Sequence, residues 1–238
     1  LLDVPEGGQR PFGLLPSLVG LWDAGRLPLM RQWLRAQRRD YDWAMEGRSA
    51  ETAVWKHAVI EEGLPERSLR EGPEARSLAT FLLDIENCFE RVKLEHVWRW
   101  GLHWKAPRRL LRMICVTFSL NRRLVYRGSA SGMASTISSI IAGIRFAIAC
   151  LHVVLLWPCD NLLRLFPAIR FAKFVDDISI TVRGPRDSVA DLAVQATEHL
   201  LLALEDDGGI QVSKTEEGMA GKSVVLTTHN GLKTRMFK

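Results

Sequence analysis

The chain has 238 residues, of which 47% are hydrophobic and 25% charged. This is ordinary globular composition with ample length for a core, and it excludes wholesale disorder. A net charge of +5 with a pI near 9.2 is a moderate basic bias that suits a polyanionic partner without requiring one.

In chain order, residues 1–16 read LLDVPEGGQRPFGLLP, a Gly-Gly turn followed by a short extended segment. Leu18–Met45 carries apolar residues at helical spacing among many arginines, and Pro28 is expected to divide it into two helices. Arg31, Arg35, Arg38 and Arg39 form a basic face with Trp33 and Trp43 nearby. Such a face either tracks a phosphate backbone or is simply solvated. Ala50–Glu62 reads as another helix. The stretch 63–77, rich in Pro, Gly and charge, is the expected boundary between a mainly helical region, 1–77, and a second region, 78–238.

Leu78–Asp84, LATFLLD, is a continuous apolar run ending in an acid. It predicts a buried central strand that delivers a carboxylate to its C-terminal end. Ile85–Val92 turns the corner, and amphipathic helices are expected over Leu94–Gly101 and Pro107–Leu120. NRRLVYRG at 121–128 predicts a short strand with Arg122, Arg123 and Arg127 exposed. The apolar run Ile137–Trp157 is long enough to tempt a membrane assignment. Ser138, Ser139, Gly143, Arg145 and His152 interrupt it, so a buried helix over 138–157 and no membrane partner is the better reading. Cys88, Cys115, Cys150 and Cys159 are scattered without a CxxC pair. They read as reduced core thiols of an intracellular protein, and Cys150, His152 and Cys159 as core packing rather than a metal site.

Phe171–Val182, FAKFVDDISITV, places Asp176 and Asp177 between two apolar, β-branched arms, where a tight hairpin turn would fall. Two adjacent carboxylates repel, while their flanks favour burial; a divalent cation held by hard oxygen ligands resolves the conflict. Asp is also a common turn residue, so the pair alone admits a solvated hairpin. Beyond it, Asp187–Asp206 predicts an amphipathic helix, capped by Asp187 or Ser188 and stopped by Gly208 and Gly209. Ile210–Ser213 and Ser223–Thr228 predict two further strands. The order predicts an α+β fold, an antiparallel sheet with helices on one face. Should the hairpin lie beside the strand ending at Asp84, three carboxylates converge on one sheet edge and could hold two Mg²⁺ ions.

These elements resemble reverse transcriptases, especially the non-LTR retroelement and group II intron branch. RPFGLLP at 10–16 is similar to a fingers segment of that family, and LLDIENCFERV at 82–92 to its first palm motif. SIIAGIRFA at 139–147 looks like its glycine-centred second motif, FVDD at 174–177 its aromatic-x-Asp-Asp box, and GKSVVL at 221–226 its fourth motif. The resemblance spans nearly the whole chain in the family's order. It implies a polymerase right hand, with fingers in 1–77, the antiparallel palm in 78–238, and the thumb absent.

The resemblance further implies an RNA-directed DNA polymerase fragment of a retrotransposon, with an RNA template, a DNA primer, dNTP and two Mg²⁺ ions, Mn²⁺ being an alternative. Asp84, Asp176 and Asp177 would be the catalytic metal carboxylates, Asp84 and Asp176 the firmest, joined by the Ile85 carbonyl. Phe89 would be the steric gate against a 2′-hydroxyl, Arg10 would hold the triphosphate, Gly143 would admit the template–nucleotide pair, and Lys222 would sit near the pyrophosphate. Arg31, Arg35, Arg38, Arg122 and Arg123 would contact nucleic acid. The sequence departs from the family in two places. No lysine precedes the Gly-Gly turn, where Asp3, Val4, Pro5 and Glu6 stand, and Ile141-Ala142-Gly143 replaces Pro-Gln-Gly. These losses keep open a decayed or repurposed nucleic-acid-binding module, and an RNA-templated RNA polymerase is the nearer chemical alternative. A glycosidase-type acid pair fits poorly, because adjacent acids on one turn cannot straddle a scissile bond.

Overall fold

The computed structural model describes residues 2–3, 9–10, 14–56, 58–59, 77–85, 87–136, 138–207, 209–210 and 224–227. The chain forms two compact units, each assembled from separate stretches of sequence. The first comprises Leu1–Gln37, Asn87–Trp157 and Asp206–Gln211; the second comprises Arg38–Glu86, Pro158–Glu205 and Val212–Lys238.

The first unit is mainly helical. A two-residue pairing of β1 (Leu2–Asp3) with β2 (Gln9–Arg10) precedes α1 (Ser17–Ala36). Pro28 lies inside α1 and does not divide it, contrary to the sequence expectation. Proline fixes a φ compatible with helix, and the following turn is anchored by buried Met30 and Trp33. The Trp33 indole donates to the Trp104 carbonyl at 3.0 Å, so this tryptophan belongs to the core and not to the basic face. α3 (Cys88–Arg91) and α4 (Leu94–His103) follow, then α5 (Arg108–Ser119) with Pro107 at its N-cap as expected. α4 and α5 meet at Gly101, where an added Cβ would fall 2.7 Å from a methyl of Leu111. β4 (Val125–Tyr126) and β5 (Ser129–Ala130) form a small hairpin whose turn residues, Arg127 and Gly128, both have positive φ.

α6 (Ala147–Leu165) is the most apolar helix among the described residues. It begins nine residues later than the sequence suggested and runs through Pro158, so residues 138–146 are turns rather than helix. By length and composition α6 could cross a membrane, but 61% of its most apolar window is buried within the chain.

The second unit is built on a four-stranded antiparallel sheet in the order β6-β7-β3-β8. Its strands are β3 (Ser77–Asp84), β6 (Arg170–Phe174), β7 (Asp177–Gly184) and β8 (Val224–Thr227). Period-two alternation divides the two central strands cleanly. Ala79, Phe81 and Leu83 pair with Val182, Ile180 and Ile178 to make an apolar, fully buried face. The other face carries Thr80, Leu82 and Asp84 against Thr181, Ser179 and Asp177. Its interior end is closed by a Thr80–Thr181 hydroxyl hydrogen bond of 3.1 Å, and its far end opens outward, with Leu82, Val224 and Leu226 exposed. α7 (Arg186–Asp206) contributes the buried stripe Val189, Ala193, Ala196 and Leu200, at helical spacing. It starts one residue before the expected cap, and Ser188 donates its hydroxyl to the Pro185 carbonyl. Gly209 stands beyond its end at φ 64°. Residues 50–56 and 58–59 are helical, α2, within the expected 50–62, of which residues 57 and 60–62 lie outside the described residues.

Candidate active site

Strand register decides where the acids go. β6 and β7 are joined by the two-residue turn Val175-Asp176, and β7 starts at Asp177. β7 pairs residue for residue with β3, so the last pair of the ladder sets Asp177 directly opposite Asp84. Cross-strand partners share a face with Cβ atoms about 4.5–5.5 Å apart. Asp176, in the turn beside Asp177, completes an acidic edge. The acids feel one another: partial desolvation first, then the charges of Asp176 and Asp84, push the Asp177 carboxyl above its ordinary range.

The turn itself is strained. Val175 has φ 57°, a left-handed conformation that a β-branched residue seldom adopts. Positive φ at the first central residue alone is the sign pattern of a II′-type hairpin turn, where glycine is the usual occupant. The ladder bonds on both arms hold valine in this conformation and so place Asp176 at the tip.

A further constraint, which no motif announced, lies three residues before Asp176. Lys173 on β6 is 2% exposed, and its ammonium reaches the carboxylate of the equally buried Asp42 at 2.8 Å. Backbone bonds lock the same place: the Lys173 amide donates to the Tyr41 carbonyl and the Trp43 amide to the Lys173 carbonyl, both at 2.8 Å. Residues 41–43 thereby extend the sheet beyond β6 with a parallel bridge. Tyr41 is tied in turn to Asp160 at 2.7 Å, which Arg39 also grips through paired contacts of 3.0 Å and 3.1 Å. Burial and the Asp160 charge raise the Tyr41 hydroxyl, so it stays a neutral donor. One sequence signal existed: a lone lysine in an apolar strand demands a buried counter-charge.

Asp84 and Asp177 line a cleft of about 810 Å³ within the second unit. Leu82, Phe174, Trp43, Val54 and Lys56 also line it. Trp43 is flanked by cations, with Arg48 and Lys56 at 5.1 Å and 5.2 Å from its ring centroid.

Among the described residues, no group of three or more His, Cys, Asp or Glu side chains is arranged to hold a metal ion. The acids form instead a cross-strand pair with a neighbour in the turn. This donor set suits Mg²⁺, which is ordinarily held by one or two carboxylates and completes its octahedron with water and substrate phosphate. Ile85 follows β3 with its side chain buried.

In the first unit, the segments of Phe89 and Gly143 come together. Phe89 is half-buried on α3, and its carbonyl accepts the Ile140 amide at 2.9 Å; the Val92 carbonyl accepts the Ser139 amide at 2.8 Å. Gly143 sits exposed in a turn at φ 88°, a conformation that favours glycine, and not in a helix. Arg31 and Arg35 are exposed on α1, whereas Arg38 lies beyond its end, and Arg123 is exposed. Arg122 corrects the sequence expectation of exposure. It is half-buried, and its guanidinium donates to the Phe118 carbonyl and to Ser139. Only the backbone of Arg10 is described, on β2; Lys222 lies outside the described residues, as do residues 11–13 of the RPFGLLP segment and residues 63–76 of the 63–77 stretch.

No protein-family model matches the chain, and no curated protein matches it. Solved structures do match. The chain aligns with apo telomerase from Candida tropicalis truncated from its C-terminal domain at a TM-score of 0.60 and 11% identity, covering 87% of this chain and 41% of that one. Telomerase of the same organism in complex with a TWJ fragment of telomeric RNA matches at 0.62 and 8%, covering 87% and 33%. The Candida albicans telomerase complex with the TWJ fragment matches at 0.58 and 12%, covering 87% and 36%. The chain thus spans about two fifths or less of these structures, and it has a reverse-transcriptase-like fold, an antiparallel sheet with helices.

Proposed function

We propose that the chain is the fingers–palm portion of an RNA-directed DNA polymerase, with β3, β6 and β7 as its palm. The observation that carries this reading is the register of Asp84 against Asp177, both lining a cleft and next to Asp176 in the turn, in a reverse-transcriptase-like fold. Asp84, Asp176 and Asp177 would hold two Mg²⁺ ions. Bound there, the metals supply charge stabilisation for in-line displacement of pyrophosphate by a primer 3′-hydroxyl. The chain's own part is positioning: strand pairing fixes the carboxylates, and the hairpin turn presents Asp176. Phe89 excludes a 2′-hydroxyl, and Gly143 admits the template–nucleotide pair.

RNA as the template is supported by the telomerase complexes with RNA and by the exposed arginines Arg31, Arg35 and Arg123. Assignment to a retroelement of the non-LTR or group II branch rests on the RPFGLLP and FVDD stretches. The test is primer extension by the chain on an RNA template with Mg²⁺. We expect dNTP incorporation that is lost in Asp84→Asn, and a Phe89→Val variant that accepts NTP more readily. Incorporation of NTP as efficient as dNTP by the unaltered protein would indicate the RNA polymerase reading. Tight RNA binding with no incorporation would indicate a nucleic-acid-binding module, a reading favoured by Ile141-Ala142 in place of Pro-Gln and by the absent fingers lysine.

A further inference from the structure

We infer that Arg122 is a positioning residue, which fixes the Gly143 loop against the Phe89 helix and thereby sharpens the choice between deoxyribose and ribose. The inference rests on the polymerase reading for its consequence, but on the geometry of the first unit for its mechanism.

Residues 138–140 run alongside the end of α3. Lys93 and Ser138 form an antiparallel bridge, the Ser139 amide donates to the Val92 carbonyl, and the Ile140 amide donates to the Phe89 carbonyl. Any shift of this strip therefore moves the backbone that carries the Phe89 ring. The strip contains a strained link. Ser139 has φ 90°, where a non-glycine residue persists only if its surroundings over-determine it. Gly143 follows four residues later at φ 88°, so the direction of the chain at Ser139 sets where the glycine turn is presented.

Arg122 supplies the over-determination. One terminal nitrogen donates to the Ser139 hydroxyl at 3.1 Å, and the other to the Ser139 carbonyl at 2.9 Å and to the Phe118 carbonyl. The anchor is rigid on both sides. Phe118 is 1% exposed at the end of α5, and the Arg122 backbone exchanges two 2.8 Å hydrogen bonds with Ala134. A planar guanidinium spans three acceptors in one orientation, which a lysine ammonium on its flexible stem does not reproduce. With both terminal nitrogens engaged, the side chain is occupied with the protein itself, and phosphate contact falls to its exposed neighbour Arg123.

The test compares Arg122→Met, Arg122→Lys and Arg122→Met with Ser139→Gly in the full chain, by residue-resolved amide hydrogen exchange and by primer extension with dNTP and NTP. In Arg122→Met the Ser139 and Ile140 amides are expected to exchange about tenfold faster, the equilibrium worth of one charge-assisted hydrogen bond. Amides of the β3–β7 ladder keep their rates. The dNTP-over-NTP preference falls by a similar factor through KM for dNTP more than through kcat. Lysine is expected to rescue only part of both effects. Glycine at 139, which tolerates φ 90° unaided, restores part of the preference in the absence of the arginine. Unchanged exchange at Ser139 and Ile140, or equal acceleration across the whole chain, overturns the clamp. Unchanged sugar preference in an active Arg122→Met protein overturns its role in selection. Absence of any incorporation by the unaltered protein removes the polymerase reading and sugar selection with it, while the exchange rates still decide whether Arg122 holds the loop.

Discussion

Asp84 and Asp177 are cross-strand partners, the final pair in an eight-residue antiparallel ladder that begins at Ser77 and Gly184. Like charges directly opposite on a sheet destabilise it, so the ladder holds together despite this pair. Such an arrangement is stable when a cation sits between the acids. Asp84→Asn and Asp177→Asn are each expected to cut primer extension by about a hundredfold or more, since metal stabilisation of transition-state charge is worth several kcal/mol. Both variants should keep the circular dichroism spectrum of the unaltered chain. Retention of full activity by either would remove that acid from the reaction.

The raised Asp177 carboxyl predicts a pH dependence. Its ordinary value is near 3.8, and in the folded chain it is higher, so between the two values the folded state binds more protons than the unfolded chain. The Asp177 contribution to stability is therefore fully present at the acid end, declines as pH rises through that window, and is flat above it. Denaturation midpoints of the unaltered chain and Asp177→Asn, compared across the window without metal, should diverge with rising pH in favour of the asparagine variant. Mg²⁺ competes with the same proton, so its affinity should strengthen over the same window.

The buried Asp42–Lys173 pair, with side chains 1% and 2% exposed, should be costly to break on one side. Asp42→Ala or Lys173→Met strands an uncompensated charge and is expected to lose about 3–5 kcal/mol of stability by urea denaturation. Asp42→Asn combined with Lys173→Met removes both charges and leaves an acceptor for the Ala44 amide that Asp42 holds at 3.0 Å. That double variant should recover most of the loss. A double variant no more stable than the singles would show that the pair acts through something other than charge.

Val175→Gly addresses the turn. An L residue in left-handed conformation costs roughly 1–2 kcal/mol, and glycine returns about 0.5–1 kcal/mol of that as unfolded-state entropy. The variant should be more stable by about 0.5–1 kcal/mol in chemical denaturation. A destabilised variant would mean that the Val175 side chain contributes more by packing than its backbone loses.

Much of this was legible in the chain because it is local. The apolar run ending at Asp84 made β3, the β-branched arms around Asp176-Asp177 made the β6–β7 hairpin, and Pro107 marked the start of α5. Period-two alternation also carried which residues share a face, so the acids were bound to lie at a strand end and a turn. Where local rules compete with packing, the sequence misled. Pro28 looked like a break, yet α1 passes through it, and the interrupted apolar stretch from 138 to 157 read as one helix although residues 138–146 are turns in which Ser139 and Gly143 take positive φ.

What only the tertiary structure decided is pairing between distant residues. Sequence spacing put two acids beside each other, but the one standing opposite Asp84 is Asp177, because register depends on a ladder formed across 93 positions, 177 − 84. Asp42 met Lys173, and Arg122 met Ser139, for the same reason: a buried charge or a guanidinium fork takes whichever acceptor the fold brings within reach. Composition and periodicity specify faces and ends of elements. Which polar group satisfies which other is settled only when burial removes water as the alternative partner.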